Sequence, residues 1–234
     1  MLDQAFEALT TYDWGAERSA LDPINEAVIA TQSVAAERKA LEIRLAAALK
    51  TSISHAAKDF ICRKLMQIGS EVSVPTLAEL LSDKDLSHMS RFALERNTSP
   101  EAAQALRDAL PKLTGLLKAG VISSLGQRKD LASVSLLAAC LSDSDQAVAR
   151  SAAIALGSIQ AQESITALNE AKSAVSETLV AVTDAKLACA EGMLTAGNKG
   201  EALAVYKSLL GDAYPKHVRF AATRGMLACT AKTS

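Results

Sequence analysis

Three histidines, four cysteines and scattered carboxylates are the groups in this sequence that could perform chemistry, and their spacing argues against each reaction in turn. A histidine acts as ligand or general base when a second ligand or a carboxylate is held beside it. His55 is followed by Ala56, His88 by Met89 and His217 by Val218, so no His-Glu pair exists. Cys62, Cys140, Cys189 and Cys229 stand far apart with no CxxC pair, which leaves a zinc site or a redox couple no spacing to rest on. They fall on apolar segments and read as buried free thiols, a usage that leans towards a reducing compartment. There is no Gly-x-Ser-x-Gly, no P-loop and no GxGxxG followed by an acidic residue, hence no nucleophile elbow, phosphate cradle or dinucleotide site. The expectation is a protein without catalytic residues, cofactor or metal.

Binding chemistry is better represented. Aligning 59–69, 86–96, 115–126, 146–157 and 217–225 leaves Arg63, Lys64, Arg91, Arg96, Lys118, Arg150, Arg219 and Arg224 at polar positions of apolar-periodic segments. Two readings stay open. As function, these residues form a basic stripe for an acidic peptide or acidic partner surface. As structure, they bridge to the turn acids Asp83, Asp85, Asp143 and Asp145 of neighbouring repeats. Tyr12 and Trp14, with Phe6, place three of the chain's eight aromatics in its first 14 residues. Either Tyr12 and Trp14 anchor a partner, since such residues dominate interface energetics, or Trp14 seals an open end of the core. A formal charge of −1 offers little counterion release, so no nucleic-acid partner is expected. Between Ala93 and Val205 there is no aromatic residue, so that region lacks the stacking platforms of sugar, flat-cofactor or single-strand sites. No 18-residue stretch is apolar and free of charge, and no membrane insertion is expected.

The elements that must position these side chains are organised around Leu131 to Gln160. Val134, Leu136, Leu137, Ala139, Cys140 and Leu141 form a first apolar helix, and Ser142-Asp143-Ser144-Asp145 supplies a turn and an N-cap. Val148, Ala152, Ala153, Ala155 and Leu156 then recur at three- and four-residue steps on one face of a second helix, with Gly157 near its end, where a helix stop is cheap. So many small residues allow close helix approach. Ser82-Asp83-Lys84-Asp85 stands 60 residues before the Asp143 turn, and Leu125-Gly126 stands 31 before Leu156-Gly157. Leu187 to Gly192 and Phe220 to Gly225 continue the series at roughly 30 to 35 residues, the range of two-helix repeats. Helices are expected at 2–10, 23–31, 33–49, 53–68, 73–82, 86–97, 100–110, 112–126, 131–141, 146–158, 162–174, 178–195, 199–210 and 216–230. Residues 1–32 differ from the rest: six acids oppose Arg18 alone, for a charge of −5, whereas 33–64 carry +4. They read as an N-terminal cap docked by charge, or as an acidic arm over a basic groove, ahead of repeats from 33 to 234.

The leucine-rich first helix, the Asp-x-Asp turn and Val-Ala-Arg-x-Ala-Ala-x-Ala-Leu-Gly at Val148 to Gly157 resemble the HEAT repeat in its short bacterial form. The resemblance extends over 70–128, where Val74-Pro75-Thr76-Leu77 is similar to the family's opening of the first helix, and thins before 50 and after 162. It implies an all-α fold, a right-handed α-α superhelix of about six to seven hairpins, with second helices on the concave side. It implies no chemistry, because that architecture hosts many functions. Related helical-repeat families fit poorly. Deoxyhypusine-type hydroxylases bind iron through His-Glu pairs, phycobilin lyases cradle a planar tetrapyrrole, and helical-repeat DNA glycosylases need a strongly basic face with aromatics near a catalytic acid.

A chain that is 49% hydrophobic and 22% charged can bury a large core, and a repeat array needs only one domain. Met1-Leu2-Asp3-Gln4 has neither a basic nor an apolar leader region, which favours the cytoplasm. The periplasm or secretion stays open for a chain that is part of a longer protein. The expected function is a non-catalytic protein-interaction scaffold, a monomer that binds a protein or peptide. The alternative is an accessory domain of a larger bacterial enzyme, for example beside a sugar-hydrolysing β-sandwich, positioning substrate or catalytic domain.

Overall fold

A computed structural model describes residues 1–171 and 176–231, and among them every regular element is helical. The chain forms two compact units, 1–113 and 114–234. The first contains α1 (Leu2–Leu9), α2 (Asp22–Ala30), α3 (Ala35–Leu49), α4 (His55–Ile68), α5 (Val74–Glu79), α6 (Ser87–Arg96) and α7 (Pro100–Ala109). The second contains α8 (Gly115–Gln127), α9 (Val134–Cys140), α10 (Gln146–Ile159), α11 (Gln162–Glu170), α12 (Ser176–Thr195), α13 (Lys199–Ser208) and α14 (Lys216–Thr230). Each expected helix has its counterpart, and short 3₁₀ turns flank several, as at 80–82 and 131–133. The helix expected over 162–174 ends at Glu170, and 172–174 lie outside the described residues.

Within each unit most helices pack on a neighbour in sequence or on the helix two places along, the pattern of stacked hairpins. In the second unit α8, α10 and α12 lie side by side, with α9 and α11 packed against each other and against them. Small residues set the spacing. A Cβ on Gly126 would lie 2.8 Å from the Cα of Ala155, and one on Gly157 would lie 2.8 Å from the Cα of Ala185. Gly157 lies near the end of α10, as the sequence suggested, but does not itself stop the helix. It sits inside α10 because α12 comes too close for any side chain, while α10 ends at Gln160, whose φ is +60°. That left-handed residue turns the chain and donates its side-chain Nε2–H to Ala188 O at 3.0 Å.

In the first unit the N-terminal segment docks mainly through apolar burial. Ala5, Leu9, Leu21, Ile24 and Val28 are buried. Arg44 of α3 pairs with Asp3 at 2.6 Å and stacks over the Phe6 ring at 3.9 Å. Ser54 caps α4 by accepting from Ala57 N–H and donates to Tyr12 O, tying the loop after α1 to the start of α4. Glu42 is buried on α3, and its carboxylate accepts from Ser70 N–H, Ser70 Oγ–H and Ser73 N–H. One charge thereby holds the turn that leads into α5.

Candidate functional site

The clearest concentration of binding chemistry lies in the first unit, where the loop after α1 crosses α4. Tyr12, Trp14, Arg18, Asn25, Phe60, Arg63 and Lys64 line a groove of about 360 Å³ with Asp22, Ala56 and Asp59. Tyr12 is buried, 6.5 Å from the Phe60 ring centroid. Trp14 is 59% exposed, so it does not seal the core. Tyr12 is held instead by Ser54, which donates to its carbonyl, and by the Phe60 ring, while the indole of Trp14 stays in solvent at the groove's edge. Lys64 stands 4.9 Å over the Phe60 ring. Burial and the neighbouring Arg63 hold its ammonium below the usual lysine range. Arg63 Nε–H donates to Asp59 Oδ2 at 2.9 Å. Asn25 donates to Asp22, but its Oδ1, shielded from solvent, accepts no hydrogen bond among the described residues.

The other basic residues are not gathered with these. Arg96 of α6 lines a separate cleft with Arg38, Ser70 and Asn97. The Arg91 guanidinium is held below its ordinary range by burial, with Glu95 acting in the opposite sense, and His88 Nδ1 lies 3.3 Å from its Nη2. In the second unit Lys118 Nζ pairs with Asp143 Oδ2 at 2.6 Å, and Arg219 pairs with Asp212. Arg150 carries no ion pair among the described residues. It lines a groove of about 600 Å³ between α10 and α12, with exposed Ile154 and Val180 and with Asp184.

Among the described residues the ladder of turn acids thus shows one rung between hairpins, Lys118 to Asp143. Asp83 accepts from Asp85 N–H and Leu86 N–H and so closes its own turn, and Asp145 accepts from Ala147 N–H and caps α10. All four cysteines are buried, and burial pushes the Cys62 and Cys189 thiols up to about 12. Among the described residues no three His, Cys, Asp or Glu side chains are grouped to hold a metal ion, and no helix is long and apolar enough to cross a membrane. Arg18, Asn25 and Phe60 escaped the sequence reading. Phe60 had a signal, standing one turn before Lys64, but the approach of Asn25 depends on how α2 lies against α4.

Among known proteins, the family described as HEAT repeats matches residues 114–185. No curated protein matches the chain.

Proposed function

Because residues 114–185 carry HEAT repeats, which generally serve as protein-interaction scaffolds on a typically non-catalytic fold, we propose that this protein is a non-catalytic scaffold and that the groove beside Trp14 contacts its partner. The observation that carries the proposal is the exposed indole of Trp14 at the edge of a groove walled by Arg63 and Lys64. An indole that keeps most of its surface in water gains much by being covered, and Trp and Arg are the residues that dominate interfaces. Lys64 and Arg18 carry no ion pair among the described residues, so an acidic side chain is the complement they favour. The shielded oxygen of Asn25 adds an acceptor for a peptide N–H. The partner is therefore an acidic peptide segment of another protein.

Capture from the native host's lysate at low and moderate salt, with the bound proteins identified by mass spectrometry, tests this reading. A partner protein should be retained by the folded chain and lost with Trp14→Ala and with Lys64→Glu. Trp14 is the only tryptophan, so its fluorescence should blue-shift when the partner is added. An affinity loss of about 30-fold is expected for Trp14→Ala, the size of a hot-spot residue. Capture unaffected by both substitutions, or no protein captured by the folded chain, would overturn the proposal.

A further inference from the structure

The last helix of the second unit carries an apolar and basic ridge that no described residue covers. The three buried residues of α14 match three of the eight buried in α10. Val148, Ala152 and Ile159 are buried in one, and Val218, Ala222 and Cys229 occupy the matching places, also buried, in the other. On α10 the side that carries Gly157 is closed by α12, with Ala185 against the glycine. The matching position on α14 is Leu227, which is 61% exposed. A leucine there blocks the close approach by which helices stack inside the unit. What the ridge accepts is a helix that interlocks with side chains at ordinary packing distance, about 8–10 Å between axes.

Phe220, 73% exposed, and the exposed Arg224 lead to Leu227 at steps of four and three residues, so the three share one ridge. Its flank, Ala221 and Ala228, is small, apolar and exposed. No acidic residue occurs in α14. Its charged or chargeable groups are Lys216, His217, Arg219 and Arg224, and of these Arg219 is answered by Asp212. A second copy of this chain fits the ridge badly. An antiparallel two-fold pairing of Lys216–Thr230 turns about its midpoint and sets Arg224 of one protomer beside Arg224 of its partner, like charges at contact range.

We propose that the Phe220–Arg224–Leu227 ridge docks an acidic amphipathic helix of a partner protein, apolar residues against Phe220 and Leu227 and carboxylates against Arg224 and Lys216. This second surface rests on the scaffold reading only for the class of partner, since it shares no residue with the groove beside Trp14. The probe is a fluorescein-labelled peptide of about 18 residues, five helical turns, with leucine on one face and glutamate on the other. A leucine–lysine peptide of the same pattern is the control, and binding to the full chain is read by fluorescence anisotropy. The leucine–glutamate peptide should bind and the leucine–lysine peptide should not. Phe220→Ser with Leu227→Ser should weaken binding by about tenfold or more, and Arg224→Glu, which alters one exposed charge, should weaken it by several-fold. Equal binding of both peptides, or binding indifferent to these substitutions, would overturn the inference. So would sedimentation showing a dimer that Phe220→Ser and Leu227→Ser dissolve, since a second copy would then own the ridge. Loss of peptide binding in Trp14→Ala but not at α14 would leave the scaffold reading standing and this one refuted.

Discussion

At the scale of single residues, the basic side chains that look equivalent in the sequence divide by what answers them. Lys118 and Asp143 are both mostly covered, about 20% exposed each, so their hydrogen bond is more than a screened surface pair. The bond from Lys118, aided by Asp145 N–H, holds the Asp143 carboxyl below its ordinary range, and the same bond holds Lys118 above its own. A lowered carboxyl contributes stability above the unfolded aspartate value, near pH 4, and loses it as pH falls through the folded value. A raised ammonium contributes stability below the unfolded lysine value, near 10.4, and loses it as pH rises through the folded one. Lys118→Met should therefore lower the urea unfolding free energy by about 1 kcal/mol at pH 7 and by less at pH 3. An equal loss at both pH values would show that its alkyl packing, not the pair, matters. Arg91 and Arg150 make the complementary comparison. Arg91 lies part-buried near Glu95, and Arg150 is exposed with no ion pair among the described residues. Arg91→Glu should destabilise by roughly 1–3 kcal/mol, having placed like charges together out of water. Arg150→Glu should stay within about 0.5 kcal/mol of wild type, as surface substitutions do.

At the scale of elements, the recurring Leu-Gly pairs are contact points between helices. Gly126→Ala and Gly157→Ala set two effects against each other. Alanine is the better helix former by about 1 kcal/mol, but the added Cβ would meet the Cα of Ala155 or of Ala185 at 2.8 Å. Backbone cannot swing aside as a flexible side chain can, and overpacking of this kind costs about 1–3 kcal/mol. The clash should win, giving a net loss in thermal or urea unfolding at both sites, and a gain at either would mean that the helices can part without penalty. The pairing itself was legible in the spacing of Gly126 and Gly157, while its meaning was not. A glycine at a helix end and one under a neighbouring helix read alike until the neighbour is placed. The helices were legible throughout, because Val148, Ala152 and Leu156 mark a face wherever the partner lies. The groove beside Trp14 was legible only in halves. Tyr12 and Trp14 stood out as aromatics, Arg63 and Lys64 as helix-face cations, and nothing local to either pair shows that the loop after α1 crosses α4.

At the scale of the whole molecule, the distribution of charge decides which partners the chain can hold. The net charge is −1, and several of the cations are locally answered: Arg44 by Asp3, Arg63 by Asp59, Lys118 by Asp143 and Arg219 by Asp212. A cation already paired with a carboxylate neutralises little phosphate charge and so frees few of the counterions condensed on DNA, which is why adding such residues to the count adds little affinity. The cations without an ion pair among the described residues, such as Arg150 and Arg224, stand beside exposed apolar side chains, Ile154 in one case and Phe220 with Leu227 in the other. Apolar surface next to single charges suits a protein partner, where burial supplies the affinity and the charge sets orientation. Duplex DNA should accordingly show no saturable binding at about 0.15 M salt, with any residual affinity weaker than roughly 10⁻⁴ M, the loose end of non-specific binding. A peptide bound at the Trp14 groove or the α14 ridge should instead lose affinity only gently as salt rises, because its one or two ion pairs are a minor share of what holds it. Titrating both ligands over the same salt series separates the cases. Steep salt dependence with micromolar DNA binding would mean that the paired arginines reopen on contact and that the static pairing misstates the surface.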